Sequence, residues 1–174
     1  MPDGAENAIL RPKKTMEKTP IKRITVDDIY RSILTKRRVT NAEGWTRMEP
    51  IDRPTRLSGS PVVDAVARLL EKNIGMRPDD ITPALGISKP DLSAALRVAT
   101  GMNTAGFLRA YRLTRAREWL ARTDLSIKDI SGRSGFLRPA TFHNTFVKYV
   151  GMTPGKYRRL NRPADFRELY EWEK

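Results

Sequence analysis

The chain has 174 residues, with 33 Lys and Arg against 20 Asp and Glu, a net charge of +13 and a pI near 10.4. A surplus that large attracts polyanions, nucleic acid first among them, with an anionic membrane surface as the competing partner. With no cysteine and one histidine, His143, the sequence excludes a disulfide framework, a thiolate metal site and a histidine-cluster metal centre.

Residues 1–60 carry 13 basic and 8 acidic side chains, a net +5, and are interrupted by Pro2, Pro12, Pro20, Pro50 and Pro54. Within them the window 25–39 has Thr25 as a cap, Asp27 and Asp28 in a first turn, and Lys36, Arg37 and Arg38 at the far end. Val26, Ile29, Tyr30, Ile33 and Leu34 fall on one stripe at helical spacing, which predicts a short amphipathic helix in an otherwise flexible basic arm. One stripe in sixty residues is too little for an independent core, so removal of residues 1–58 is expected to leave the rest folded. The first six residues lack the charged and apolar blocks of a signal peptide, and no apolar run is long enough to span a bilayer.

Residues 61–162 hold 18 basic and 8 acidic side chains, a net +10. Their apolar residues recur at three and four, without strand-like alternation. The spacing predicts helices over 62–74, 79–85, 88–100, 103–123, 126–134 and 139–150, with Pro154 opening a further short one. Residues 163–174 switch to a net −2 and gather Phe166, Leu169, Tyr170 and Trp172. This acidic aromatic tail is expected to be a final helix docking on the body, the alternative being a contact for another protein.

The middle segment repeats itself. Ile81, Gly86 and Ile87 match Ile130, Gly135 and Phe136 at an offset of 49. Leu92, Leu96, Gly101, Met102 and Phe107 match Phe142, Phe146, Gly151, Met152 and Tyr157 at 50, one residue having been added in the turn. Each copy is a short helix ended by a glycine, an apolar residue pinning the turn, then a second helix with apolar residues four apart. That is the pattern of a helix-turn-helix. The fold class it implies is all-α: two helix-turn-helix subdomains, each a homeodomain-like three-helix unit, at about 79–100 and 126–150, joined by a long linker helix at about 103–123.

The second copy reads Ile127-x-x-Ile130-x-x-x-x-Gly135-Phe136, then Phe142, Phe146, Gly151-x-Thr153-Pro154-x-x-Tyr157-Arg158, preceded by Tyr111-Arg112-Leu113-x-x-Ala116-x-x-x-Leu120. In these residues the sequence resembles the C-terminal DNA-binding domain of the AraC/XylS family of transcription regulators, over about 100 of its 174 residues. The resemblance implies a bacterial, cytoplasmic protein whose two recognition helices enter successive major-groove segments on one DNA face, about one helical turn or 34 Å apart.

The resemblance places base-reading residues at Pro139, Ala140, His143 and Asn144. By residue chemistry, Asn144 can pair bidentately with adenine and Ala140 can touch a thymine methyl, while Arg138 can reach guanine or a phosphate. Lys148, Lys156, Arg158 and Arg159 read as phosphate contacts, which position without specifying. In the first copy Lys89 and Arg97 suit phosphate, and Ser93 is the one obvious polar base reader. Family members usually carry longer polar side chains there, so base reading is expected mainly from the second unit. The family commonly has a capping Ser or Asp where this chain has Arg138. Arg109, Arg112, Arg115, Arg117 and Arg122 on the long helix read either as phosphate contacts or as a solvated face paired with Glu118 and Asp124.

The expected partner is double-stranded DNA, with RNA polymerase or another regulator as a further partner, no membrane, no cofactor, and no small-molecule effector, since the arm is too short for a sensing domain. No nucleophile–base pair or glycine-rich phosphate loop suggests an enzyme. A protein-interaction module, or a non-specific nucleic-acid-binding protein on the same helices, stays open as the alternative.

Overall fold

A computed structural model of the chain describes residues 22–51 and 57–173. Residues 1–21 and 52–56 of the arm, where a flexible segment was expected, lie outside these residues. The described elements run α1 (Val26–Ile29), β1 (Leu34–Thr40), β2 (Thr46–Pro50), α2 (Pro61–Lys72), α3 (Pro78–Leu85), α4 (Lys89–Thr100), α5 (Thr104–Arg122), α6 (Ile127–Arg133), α7 (Pro139–Val150), α8 (Pro154–Asn161), α9 (Phe166–Leu169) and β3 (Tyr170–Trp172). The described residues are mostly helical, with one small sheet. No described helix is long and apolar enough to cross a membrane.

Side-chain chemistry sets most helix starts. The hydroxyls of Ser60, Ser88, Ser126 and Thr153 and the amide oxygen of Asn103 each accept a backbone N–H from the first turn of the helix that follows. Ser88 also donates its hydroxyl to the Asp91 carboxylate at 2.6 Å.

Two apolar cores form, and α5 serves both. Its first half sends Phe107, Leu108 and Tyr111 into a core with Val63, Val66 and Leu70 of α2, Ile81 of α3, and Leu92 and Leu96 of α4. Its second half sends Leu113, Ala116, Trp119 and Leu120 to Ile130 of α6 and to Phe142 and Phe146 of α7. A ladder of rings, Phe136–Phe142–Phe146–Tyr157, has centroids 5.2, 5.5 and 5.5 Å apart, so the second unit's motif residues form one contiguous stack.

The window 25–39 is not one helix. A single turn, α1, is followed by strand β1, because the backbone finds partners outside the segment. The Ile33 N–H donates to the Glu118 carboxylate on α5 at 3.0 Å, and the Ile33 carbonyl accepts from Glu173 at 3.0 Å. The Tyr30 hydroxyl at 2.7 Å and the Ser32 hydroxyl donate to the same carboxylate. Val26 and Ile29 enter the first core, and Ile33 and Leu34 the second. At about 1.5–3 kcal/mol for each fully buried aliphatic side chain, this segment contributes to the core of both units, beyond what a detachable arm would.

The tail also departs from a plain helix. After the one-turn α9 it becomes β3, which pairs antiparallel with β1 in the order β2-β1-β3. Its acidic residues meet the hairpin's bases: Lys36 with Glu171 at 2.9 Å, and Arg38 with Asp165 at 3.0 Å and Glu168 at 2.8 Å. Tyr170 and Trp172 pack on the second core. The tail therefore docks on the body, through a strand.

Candidate nucleic-acid interface

The repeat seen in the sequence is present in the backbone. Gly86 (φ +64°) and Gly135 (φ +80°) occupy the left-handed region at matching points of the two turns. The Ile87 N–H donates to the Thr82 carbonyl at 3.2 Å, and the Phe136 N–H to the Ser131 carbonyl at 3.0 Å. The added residue is Leu137, which is 82% exposed.

On α7, Phe142 and Phe146 are fully buried and fix the opposite face outward. Pro139, Ala140, His143 and Asn144 are all exposed on it, at positions one, two, five and six of the helix, with Arg138 exposed at its start. Arg138 makes no side-chain cap, and Pro139 supplies the first-turn geometry in its place. Lys148 lies on the same helix, its ammonium 5.5 Å from the Tyr149 ring centroid, and Lys156 and Arg159 are exposed on α8.

Arg158 differs from these. It is half-buried, its Nη2 donates to the Leu125 carbonyl, and its Nε is buried with no hydrogen-bond partner among the described residues. Burial, with the Arg162 charge nearby, holds its pKa below the usual guanidinium value. It latches α8 to the α5–α6 connection.

On α4, buried Leu92 and Leu96 turn Lys89, Ser93 and Arg97 to one stripe at four-residue spacing. Lys89 is ion-paired with Asp79 of α3, Ser93 is partly covered, and Arg97 is exposed. Beside them Val98 is 80% exposed, an apolar contact surface that the inward-looking pattern did not single out.

The arginines of α5 are spent inside the protein. Arg109 stacks 4.1 Å from the Tyr149 ring, and Arg115 lies 5.8 and 6.0 Å from the rings of Tyr30 and Tyr111. Arg117 donates to the Thr114 hydroxyl at 3.1 Å, and Arg122 to the Tyr170 hydroxyl at 2.6 Å. Arg112 donates to the carbonyls of Ile74 at 3.1 Å and Met76 at 2.7 Å. Neither acid expected to pair with this helix does so through a salt bridge: Glu118 accepts from the arm, and Asp124 pairs with Arg167 at 3.0 Å.

The family described as "Helix-turn-helix domain" matches residues 81–160, from α3 to the end of α8. The probable transcription factor PqrA of Proteus vulgaris is 35% identical over 96 residues, covering 55% of this chain and 79% of that protein. The chain belongs to the AraC/XylS family. YtdP, an uncharacterized HTH-type transcriptional regulator of Bacillus subtilis, is 27% identical over 144 residues, which cover 77% of this chain and 18% of its own length. Among solved structures, the C-terminal domain of AraT, a response regulator from Geobacillus stearothermophilus, superposes with a TM-score of 0.57 at 26% identity, covering 61% of this chain and 90% of that one. The helix-turn-helix match begins at Ile81 and ends at Leu160, so α1, β1, β2, α2, α9 and β3 lie outside it.

Proposed function

We propose that this chain is a sequence-specific double-stranded DNA-binding transcription regulator of the bacterial cytoplasm, inserting α4 and α7 into successive major-groove segments. The observation that carries this reading is the outward face of α7. Ala140, His143 and Asn144 stand exposed there on a helix whose opposite side is locked by two fully buried phenylalanines. A helix held that firmly presents its side chains in fixed register, which direct readout requires. Asn144 is the adenine reader, Ala140 the methyl contact, and His143 and Arg138 flank them, with Pro139 at the helix start.

Lys148, Lys156 and Arg159 hold phosphates. Arg158 fixes the position of α8, and Lys89 reaches a phosphate only by leaving Asp79. With Ser93 its one polar reader, α4 chiefly secures the backbone through Arg97. RNA polymerase or another regulator is the further partner this reading implies. Binding-site selection from a random pool tests it. Recovery of a preferred sequence is expected, and recovery of an unenriched pool would reject the proposal.

A further inference from the structure

A cleft of about 420 Å³ lies where the two units meet, beside the start of α7. Its wall includes Arg77 before α3, Arg112 of α5, Phe136, Leu137 and Arg138 of the second turn, and Thr141 of α7. The junction is closely built. A Cβ placed on Gly135 would fall 2.6 Å from the Ile74 carbonyl oxygen, so the second turn rests on the end of the first unit. Arg112 clamps the same loop through the Ile74 and Met76 carbonyls.

The three guanidiniums line this cleft without a carboxylate. Among the described residues none of them forms a salt bridge. The nearby acids of α3 are engaged elsewhere: Asp80 accepts the Arg77 backbone N–H at 2.8 Å, and Asp79 pairs with Lys89. Burial and the Arg77 charge together lower the Arg112 pKa, so the cations feel one another. Like charges gathered at a partly dry junction are unfavourable until an anion joins them, and the planar guanidinium fork matches a phosphate. Thr141 lines the cleft too, with a hydroxyl as a further donor.

The geometry points to this cleft as a phosphate-binding site shared by both units, filled by a backbone phosphate of the strand that crosses between the two major-groove segments. This rests on the regulator reading and deepens it. A duplex lying across both recognition helices carries its intervening phosphates past this junction, where residues of both units converge. The contact therefore forms only when both units are docked, and it ties the binding of one to the other.

The test uses the full chain and a duplex recovered by selection, with single methylphosphonates placed at each position between the two half-sites. For wild type, one such substitution is expected to weaken binding roughly tenfold or more, as befits loss of a charge-assisted contact. In Arg77→Gln the same substitution is expected to change nothing further, and the salt slope to fall by about one, with base preference unchanged. Arg77→Lys, which keeps the charge without the fork, is expected to restore the slope and part of the affinity.

A wild-type salt slope and an unchanged methylphosphonate profile in Arg77→Gln would overturn the proposal. So would a saturable response of the DNA-free chain to inorganic phosphate that Arg77→Gln abolishes, if no methylphosphonate has an effect, since the cleft would then serve a free anion. If selection enriches no sequence, the regulator reading falls. The slope difference between wild type and Arg77→Gln on the unselected pool then decides the cleft separately.

Discussion

Gly86 and Gly135 hold the same place in the two helix-turn-helix turns, yet replacing each by alanine should not cost the same. Both sit at positive φ, +64° and +80°, where a Cβ costs about 1–2 kcal/mol. At Gly86 no atom of the described residues lies within 4 Å of the new methyl, so that cost stands alone. At Gly135 the methyl meets the Ile74 carbonyl oxygen at 2.6 Å, its carbon at 3.0 Å and the Arg112 Nε at 3.1 Å. Two of these atoms are backbone, and the third is held by its own hydrogen bond to the same carbonyl, so none yields freely. Overpacking of this kind adds about 1–3 kcal/mol. Gly135→Ala is therefore expected to lose about 2–5 kcal/mol and Gly86→Ala about 1–2, measured by urea unfolding at constant m-value. In a thermal scan the difference should appear as roughly 2–4 °C per kcal/mol. Equal losses for the two variants would refute the packing of the second turn against the first unit.

Asn144→Ala is expected to lower discrimination at one adenine by about 1–3 kcal/mol, whereas Lys156→Ala should weaken all sequences alike and reduce the salt slope by about one. Equal loss on matched and mismatched duplexes for Asn144→Ala would remove it from the readers. Glu118→Ala removes the acceptor shared by the Tyr30 and Ser32 hydroxyls and the Ile33 N–H, and should cost about 2–4 kcal/mol of unfolding free energy, with Glu118→Gln milder. A loss below about 0.5 kcal/mol would mean that the arm is not anchored there. Burial, and then the Glu118 carboxylate, push the Tyr30 phenol far above its ordinary value, so the folded state holds that proton more tightly than the unfolded one. The associated stability is fully present below pH about 10 and declines above it, by about 1.4 kcal/mol per unit. Alkaline denaturation of Tyr30→Phe should accordingly be shallower, and an unchanged profile would contradict the burial.

The helices were legible because punctuation and periodicity agree. Pro139 and Gly151 bracket α7 to the residue, and the spacing of Phe142 and Phe146 alone determines which side chains face outward. The arm was not legible, because β1 exists through partners far along the chain. Arg38 meets Asp165 and Glu168, and Ile33 is held by Glu118 and Glu173, pairings that no local window contains. The same reason separates the basic residues. Arg158 and Lys156 look alike in sequence, but only the fold brings the Leu125 carbonyl to Arg158. Arg77 carries no motif of its own, and gains its interest from a cleft built by segments about 60 residues apart. Its one sequence signal was the added Leu137, which shifts the repeat offset from 49 to 50 beside that cleft.

The central claim is that α7 reads sequence while α4 mainly holds the backbone. Titrating the full chain at physiological salt against a selected duplex, and against duplexes scrambled separately in each half-site, tests it most directly. Scrambling the half-site under α7 is expected to cost on the order of 10³-fold in affinity, approaching non-specific binding, with a much smaller loss under α4. Equal affinity for all three duplexes would contradict sequence-specific binding, and equal losses from the two scrambled sites would contradict the division of labour between the units.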